Sequence, residues 1–187
     1  NFVDTTSFSK IQGRFKTRIN LSSSNTDEVL KRRLLEKNET AQKTLETIYE
    51  PNEQLIRNRL SFDKEKTQYS SAYRSTDEFV AIYPFVPYQV ELLQAVLEKI
   101  GIHGEGSSYA SRGERSLLKS FQDAAIKHND DELGTLVTMA EFYPTIRQHL
   151  ESTIVQTITK AESRAANNEG LYEADVDILK VLYLIKG

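Results

Sequence analysis

The residues most suggestive of chemistry form one short block, Ser111-Arg112-Gly113-Glu114-Arg115-Ser116. One hypothesis is an anion site, in which free N–H groups at a helix start, together with Arg112 and Arg115, hold a phosphate of a nucleotide or nucleic acid. The other is a capping box, in which the Ser111 hydroxyl accepts from the Glu114 N–H and the Glu114 carboxylate reaches back. Both predict a helix that starts at Arg112. We favour the capped helix with solvated arginines, because capping boxes are far commoner than phosphate sites.

Other sequence patterns that could support catalysis are incomplete. Ser-x-Gly-Glu also occurs in the signature loop of ABC ATPases, but that loop requires a Walker A motif, and the chain contains no Gly-x-x-x-x-Gly-Lys-Ser/Thr. The histidines are far apart and outside any zinc-binding pattern, so we interpret them as surface or loop residues: His103, His128 and His149. The sequence therefore predicts neither a metal site nor a catalytic site that is complete within the chain.

A DNA-binding role is a subordinate hypothesis that depends on four arginines: Arg57, Arg59, Arg112 and Arg115. The net charge of -3 gives no overall attraction to nucleic acid, so binding would require a local basic patch. The basic residues between Lys31 and Arg74 are scattered among glutamates and aspartates. We therefore favour a solvated charged face over a nucleic-acid surface.

The elements around these residues are predicted to be helical, with one rigid interruption. Pro84 and Pro87 fix their own φ angles and favour extended geometry in the residues before them, so Tyr83 to Val86 should be a non-helical strut. Pro87 suits the first turn of the following helix, which runs to Ile100. Ser75 with Glu78 forms a second capping box, which predicts a short helix leading into the strut.

The fold class predicted from hydrophobic periodicity is all-α, with at most one short strand near residues 14–21. The last helix is apolar around nearly its whole circumference, so it should be buried or continue into a neighbouring element. The remaining predicted segments are a helix from Asp27 to about Tyr49, a helix over 52–60, a polar connector over 61–75, a helix starting at Asp130–Glu132, a long helix from Tyr143 to Ala161 and the last helix, Asp175–Lys186.

Composition sets the class of protein. The chain has 187 residues, 27% charged and 39% hydrophobic, which is ordinary for a globular protein and long enough for a substantial core. It has no cysteine, no apolar run that could span a bilayer and a polar N-terminus, so we expect a cytoplasmic location without membrane contact. The start at Asn1 and the apolar end suggest an excised fragment, with segments 1–24, 25–75 and 76–187.

The first segment resembles the exit from an AAA+ ATPase core into its helical lid. A basic turn, a short strand over 14–21, a serine-rich loop and the helix from Asp27 follow one another. In such enzymes an arginine near this exit often faces the nucleotide of the neighbouring subunit. The resemblance makes Arg14 and Arg18 arginine-finger candidates, a role that suits a planar, permanently charged guanidinium.

Four blocks together resemble the large P-loop ATPase of bacterial BREX phage-defence systems, the BrxC or PglY family. They are Asp27 to Asn38 (DEVLKRRLLEKN), Tyr83 to Gln89 (YPFVPYQ) with Leu92-Leu93-Gln94, Ser111 to Ser116 (SRGERS) with Phe121-Gln122, and Ile178 to Ile185 (ILKVLYLI). They occur in the family's order and cover nearly the whole chain.

This resemblance implies a middle region of the ATPase: the end of its core, its lid and a helical extension of 76–187. ATP and Mg²⁺ are implied for the parent protein, whose phosphate-binding motifs should lie upstream of Asn1, and no cofactor is implied for this region. Expected partners are other BREX proteins, a second copy or DNA. The alternative function is a free-standing helical adaptor or regulator without ATPase activity.

Overall fold

The computed structural model describes residues 23–62, 72–99, 107–147 and 149–186, and all regular structure among them is helical. The predicted all-α class is confirmed for these residues, whereas the strand predicted over 14–21 lies outside them. The α-helices are α1 (Ser23–Val29), α2 (Glu39–Tyr49), α3 (Glu53–Leu60), α4 (Thr76–Ile82), α5 (Pro87–Lys99), α6 (Ser107–Lys127), α7 (Tyr143–Arg147), α8 (Ser152–Ala166) and α9 (Glu173–Lys186). A π-helix (Leu30–Leu34) and two 3₁₀-helices (Glu50–Asn52 and Met139–Phe142) connect some of them.

The prediction of a single helix from Asp27 to Tyr49 is wrong, because the helix is interrupted between α1 and α2. After α1 the chain forms the π-helix, and its last bond joins the Leu35 N–H to the Leu30 carbonyl at 3.0 Å. A new helix then starts after Asn38, whose side chain accepts from the Ala41 N–H at 2.8 Å. A good N-cap at Asn38 satisfies a free N–H of the second helix and so favours a restart at this point.

The predicted helix start at Arg112 is also wrong, since α6 begins at Ser107. Ser111 and Arg112 therefore lie in the second turn of α6. Only the first four N–H groups of a helix lack an intrahelical partner. The free N–H groups needed by the anion-site hypothesis are consequently expected before Ser111 rather than at the predicted block.

Residues 130–138, predicted to begin a helix, form turns and extended backbone instead. Gly134 adopts a φ of +105°, and the Val137 N–H donates to the Pro84 carbonyl at 3.0 Å rather than to a helical partner. The long helix predicted from Tyr143 is likewise divided into α7 and α8. Between them the Leu150 N–H donates to the Arg147 carbonyl at 3.3 Å, an i to i−3 bond that tightens and ends α7.

The proline strut and its flanking helices are confirmed. Ser75 caps α4, because its hydroxyl accepts from the Glu78 N–H at 3.2 Å. The strut follows α4, contains a cis peptide bond between Tyr83 and Pro84, and ends where Pro87 opens α5. We call residues Tyr83 to Gln89 the elbow.

One apolar core includes side chains from both sides of residue 75, where the sequence predicted a boundary. On one side of the elbow the Tyr49 ring stacks on Phe79 at 4.5 Å between centroids, and Tyr73 meets Phe79 edge-on at 5.0 Å. On the other side the Phe85 ring meets Phe121 edge-on at 4.7 Å. The elbow therefore lies between two aromatic clusters.

The described α-helices range from five to 21 residues in length. None of them, taken alone, combines the length and the apolar character needed to cross a bilayer. Helices α4 and α5 are long and apolar enough only when they are counted together, and a bend of 51° separates them.

Candidate functional site

The first polar anchor of the elbow is Lys37, which lies just before α2. Its ammonium donates to the Tyr83 carbonyl at 2.7 Å and to the Ala81 carbonyl at 3.3 Å. These carbonyls lie at the C-terminal end of α4, where orphan acceptors and the helix dipole favour a cation. Burial nevertheless lowers the pKa of Lys37 to about 8. Lys37 thus ties the start of α2 to the elbow.

The second anchor is Gln89, a buried polar residue that is 1% exposed. Its side-chain oxygen accepts from the Val86 N–H at 2.9 Å, and its side-chain nitrogen donates to the Val137 carbonyl at 2.8 Å. The Val137 N–H in turn donates to the Pro84 carbonyl at 3.0 Å. These bonds connect the segment before the second 3₁₀-helix to the elbow.

Two tyrosines complete the bonding of the elbow. The buried Tyr73 hydroxyl donates to the Phe85 carbonyl at 2.7 Å, and burial raises the pKa of Tyr73. The Tyr83 hydroxyl accepts from the Gly134 N–H at 2.8 Å. The carbonyls of Tyr83, Pro84 and Phe85 therefore all accept from groups elsewhere in the chain. This bonding gives the elbow a structural role, namely to fix the angle between α4 and α5.

A histidine with two carboxylates lies beside this framework, at the end of α6. His128 Nδ1 is 2.5 Å from Asp131 Oδ2, and its Nε2 is 3.5 Å from Glu141 Oε1. The second oxygen of Glu141 accepts from Lys127 Nζ at 2.7 Å. These contacts orient the imidazole ring and tie the end of α6 to the second 3₁₀-helix, so the arrangement acts as a polar brace.

An open, mainly apolar groove of about 400 Å³ lies between α5 and α9. The Phe62 and Tyr88 rings form one wall and meet edge-on at 5.1 Å between centroids. Burial raises the pKa of Tyr88. We call this feature the groove and define it by its lining: Phe62, Tyr88, Leu92, Ala95, Val96, Lys99, Met139, Val181, Leu184 and Ile185. Lys99 is its single charged lining residue.

The groove continues onto an open face of α9. Ile178, Leu182 and Ile185 are 60%, 53% and 48% exposed, respectively. The sequence analysis predicted that this helix is buried or continues into a neighbouring element, and the described part of the chain leaves this face uncovered. We define the α9 face as Ala174, Ile178, Val181, Leu182 and Ile185, which helical geometry places on one side.

The opposite side of α9 is anchored to its neighbours. Val176 is buried on that side, and the helix packs along α8. Lys180 Nζ lies 3.3 Å from Glu162 on α8 and 3.3 Å from Asp177 on its own helix. Burial alone would lower the pKa of Lys180, but these two carboxylates raise it overall. The anchoring leaves the α9 face turned away from α8.

Of the predicted basic residues, Arg57, Arg59 and Arg115 have described side chains, and they lie on two different helices. Arg14 and Arg18 lie outside the described residues, so their arginine-finger role stays a prediction. Arg57 and Arg59 are exposed on α3, and Arg57 forms an ion pair with Glu53 at 3.1 Å. Residues two apart on a helix point in different directions, so the two arginines do not form one patch by themselves.

The remaining predicted residues all lie on α6. Ser111 and Arg112 are in its second turn, where only their backbone is described, and Arg115 is exposed. Arg115 and the α3 arginines lie on different helices. DNA binding by these residues stays a prediction. Within the described ranges, no group of three or more histidine, cysteine, aspartate or glutamate side chains could hold a metal ion.

The functional features that sequence reasoning missed are Lys37, Gln89 and the groove. Gln89 had a usable signal, because it lies on the same helical stripe as Leu93 and Leu97 of α5, both fully buried. A glutamine on a buried stripe predicts a polar group with a specific partner. The sequence around Lys37 did not indicate its role, because the carbonyls that it binds lie 44 and 46 residues away along the chain.

Comparison with known proteins gives no identification. No protein-family model matches the chain, and no solved structure matches it. The resemblance to the BREX ATPases therefore depends on the sequence blocks quoted above.

Proposed function

We propose that this chain is a non-catalytic helical module whose function is to bind a protein segment along the groove and the α9 face. The observation that carries the proposal is the open apolar surface around Ile178, Leu182 and Ile185, which is continuous with the groove. Contiguous exposed apolar surface of this kind is typical of interaction sites. The firmly bonded elbow supports the proposal further, because it holds α5, one wall of the groove, in a fixed position.

The lining of the groove specifies the chemistry of the partner. Aliphatic and aromatic side chains dominate it, and among the described lining residues only Lys99 is charged. A groove of this kind between helices suits an amphipathic helix whose apolar face enters the groove. A carboxylate at one end of that helix would pair with the exposed Lys99 ammonium. The proposed partner is therefore an apolar-faced helix with an acidic residue at one end.

The identity of the parent protein is inferred from the resemblance of the four sequence blocks to the BREX ATPases. We propose that the module belongs to a cytoplasmic BREX ATPase, in which ATP and Mg²⁺ bind elsewhere, and that its partners are BREX proteins. DNA is a weaker candidate, since several of the basic side chains already pair with nearby carboxylates: Lys31, Arg32, Arg57, Lys119 and Lys127. The alternative remains a free-standing adaptor that uses the same surface.

The surface is tested by one charged substitution and a matched control. Leu182→Glu places a carboxylate on the α9 face, whereas Leu55→Glu does so on α3, outside the groove, at nearly equal exposure, 53% against 52%. Each change is made in the intact parent gene, and phage plating is measured in a strain that carries the defence system. We expect Leu182→Glu to reduce protection at least tenfold and Leu55→Glu to leave it unchanged. Equal protection by both variants would refute the proposed role of the surface.

The parent assignment is tested separately, by determining the native gene sequence upstream of the Asn1 codon. An in-frame strand followed by Gly-x-x-x-x-Gly-Lys-Ser/Thr supports the BREX ATPase. A start codon within a few residues of Asn1 would refute it and favour the adaptor. In that case an apolar dye replaces the phage assay, with weaker dye binding expected for Leu182→Glu than for Leu55→Glu.

A further inference from the structure

We propose that the segment bound by the α9 face is α9 of a second copy, so that the chain forms a twofold dimer with antiparallel α9 helices. This inference rests on the proposed function and names its partner. Three properties of α9 support this inference: the spacing of the apolar residues on the α9 face, of which Val181 is half-buried, the distribution of charge along the helix, and the size of the surface.

The spacing makes the α9 face complementary to itself. Ala174, Ile178, Val181 and Ile185 follow one another at intervals of four, three and four residues, the spacing of a helix–helix seam. A twofold axis between Ile178 and Val181 would place each Ile178 against Val181 of the other copy. The same axis would place the small Ala174 against the large Ile185. Large and small side chains would then alternate across the interface, as close packing requires.

The charges select the antiparallel orientation. The exposed Glu173 and Asp175 lie in the first turn of α9, and the exposed Lys99 lines the groove beside Ile185, near the other end. Antiparallel helices place Glu173 of each copy near Lys99 of the other and also oppose the two helix dipoles. Parallel helices would bring the two acidic first turns together. The α9 helix of a second copy therefore has the acidic residue at one end that was proposed for the partner of the groove.

The size of the surface predicts a weak dimer. About half of each of four large side chains is exposed, namely Phe62, Ile178, Leu182 and Ile185. Such side chains present roughly 300–500 Å² of apolar surface per copy. The two copies together would bury roughly 600–1,000 Å² of this surface, at or below the roughly 1,000 Å² of a specific interface, so we expect a transient dimer with a Kd on the order of 10–100 µM.

The first test is sedimentation of the chain over a concentration series that spans the expected Kd. We expect a reversible monomer–dimer equilibrium for the wild type, a monomer for Leu182→Glu and a wild-type equilibrium for Leu55→Glu. Glu173→Lys and Lys99→Glu should each weaken the dimer roughly three- to tenfold, and the double reversal should restore it. Circular dichroism checks that each variant is folded. Failure of the double reversal to restore dimerisation would overturn the antiparallel arrangement.

The second test uses the absence of native cysteines. Ala174→Cys and Ile185→Cys are made separately, and each is oxidised alone and in an equimolar mixture. Antiparallel pairing predicts a disulfide between the two different variants and little between identical ones. Disulfides between identical variants would indicate parallel helices and overturn the proposal.

The outcomes also separate this inference from the proposed function. If the wild type stays monomeric at every concentration while Leu182→Glu still reduces phage protection, the second copy is excluded and another protein occupies the surface. If the wild type is monomeric and Leu182→Glu leaves protection intact, both proposals fail. A dimer that tolerates Leu182→Glu would place the contact elsewhere on the chain and overturn the inference.

Discussion

Replacing Gln89 with methionine tests whether the elbow is held by its side-chain hydrogen bonds. Methionine has a similar length and volume, so the change leaves the packing of α5 nearly intact. It removes the acceptor for the Val86 N–H and the donor to the Val137 carbonyl. Val86 and Val137 are both buried, which leaves water little access to the two backbone groups.

The expected loss follows from the number of groups left unpaired. A buried polar group without a partner costs about 1–3 kcal/mol, and Gln89→Met leaves two. The added apolar burial of methionine offsets part of this cost, so we expect the free energy of unfolding to fall by about 2–4 kcal/mol. With a urea m-value of about 2 kcal/mol per molar, the midpoint should fall by roughly 1–2 M.

Urea denaturation followed by circular dichroism measures this change. Gln122→Met on α6 is the matched control, since Gln122 is exposed and should tolerate the change within about 0.5 kcal/mol. If Gln89→Met unfolded at the wild-type midpoint, the hydrogen bonds would not hold the elbow, and the reasoning would be refuted.

Gln89→Glu sharpens this test through its pH dependence. A carboxylate still accepts from the Val86 N–H but cannot donate to the Val137 carbonyl, whereas the protonated acid can do both. Burial and the facing carbonyl should raise the pKa of the new carboxyl above its unfolded value. Stability is then present below the unfolded pKa of about 4.3 and is lost as pH rises through the folded pKa. The loss relative to wild type should therefore shrink in acid, and a pH-independent difference would contradict the assignment.

Three further predictions concern other contacts. The pKa of Lys37 falls from 10.5 to about 8 on folding, so the unfolded chain binds more protons between these values, and wild-type stability should rise relative to Lys37→Met over that pH window in urea titrations. A constant difference would contradict the burial of this ammonium. Tyr73→Phe leaves the Phe85 carbonyl without its donor and should cost about 1–2 kcal/mol, whereas Tyr172→Phe, at an exposed position, should be neutral in the same assay. Asn38→Ala should cost about 1 kcal/mol through loss of the α2 cap, and Asn38→Asp should retain most of it.

The parts of the fold that could be predicted are those fixed by local chemistry. The Ser75 cap, the Pro87 start of α5 and the non-helical strut each depend on residues a few positions apart. Residues 130–138 could not be predicted, because their acidic and apolar residues also suit a helix. Their extended form depends on the Val137 N–H bond to Pro84 and the Gly134 N–H bond to Tyr83, both with distant segments.

The candidate site also has parts that the sequence could predict and parts that depend on long-range packing. The apolar character of α9 was evident in the sequence, and it led to the expectation that the helix is buried or continues into a neighbouring element. Which side stays open depends on α8, since Lys180 reaches Glu162 and so fixes the rotation of α9 about its axis. A single sequence shows that every side of this helix is apolar enough to be buried. It does not show which other helices pack against it, and therefore which side stays exposed. The groove depends on the same long-range packing.

The hydrogen bonds of Gln89, the polar residue on the buried stripe of α5, link the elbow to the groove. Gln89 lies in the first turn of α5, whose Tyr88 and Leu92 form part of the groove. Its bond to the Val137 carbonyl positions the segment that carries Met139, another lining residue, two positions later. An apolar residue at 89 would leave the spacing between these two parts of the groove to side-chain packing alone, which is less directional than hydrogen bonding. The bonds of Gln89 thus fix the shape of the surface on which the proposed binding depends.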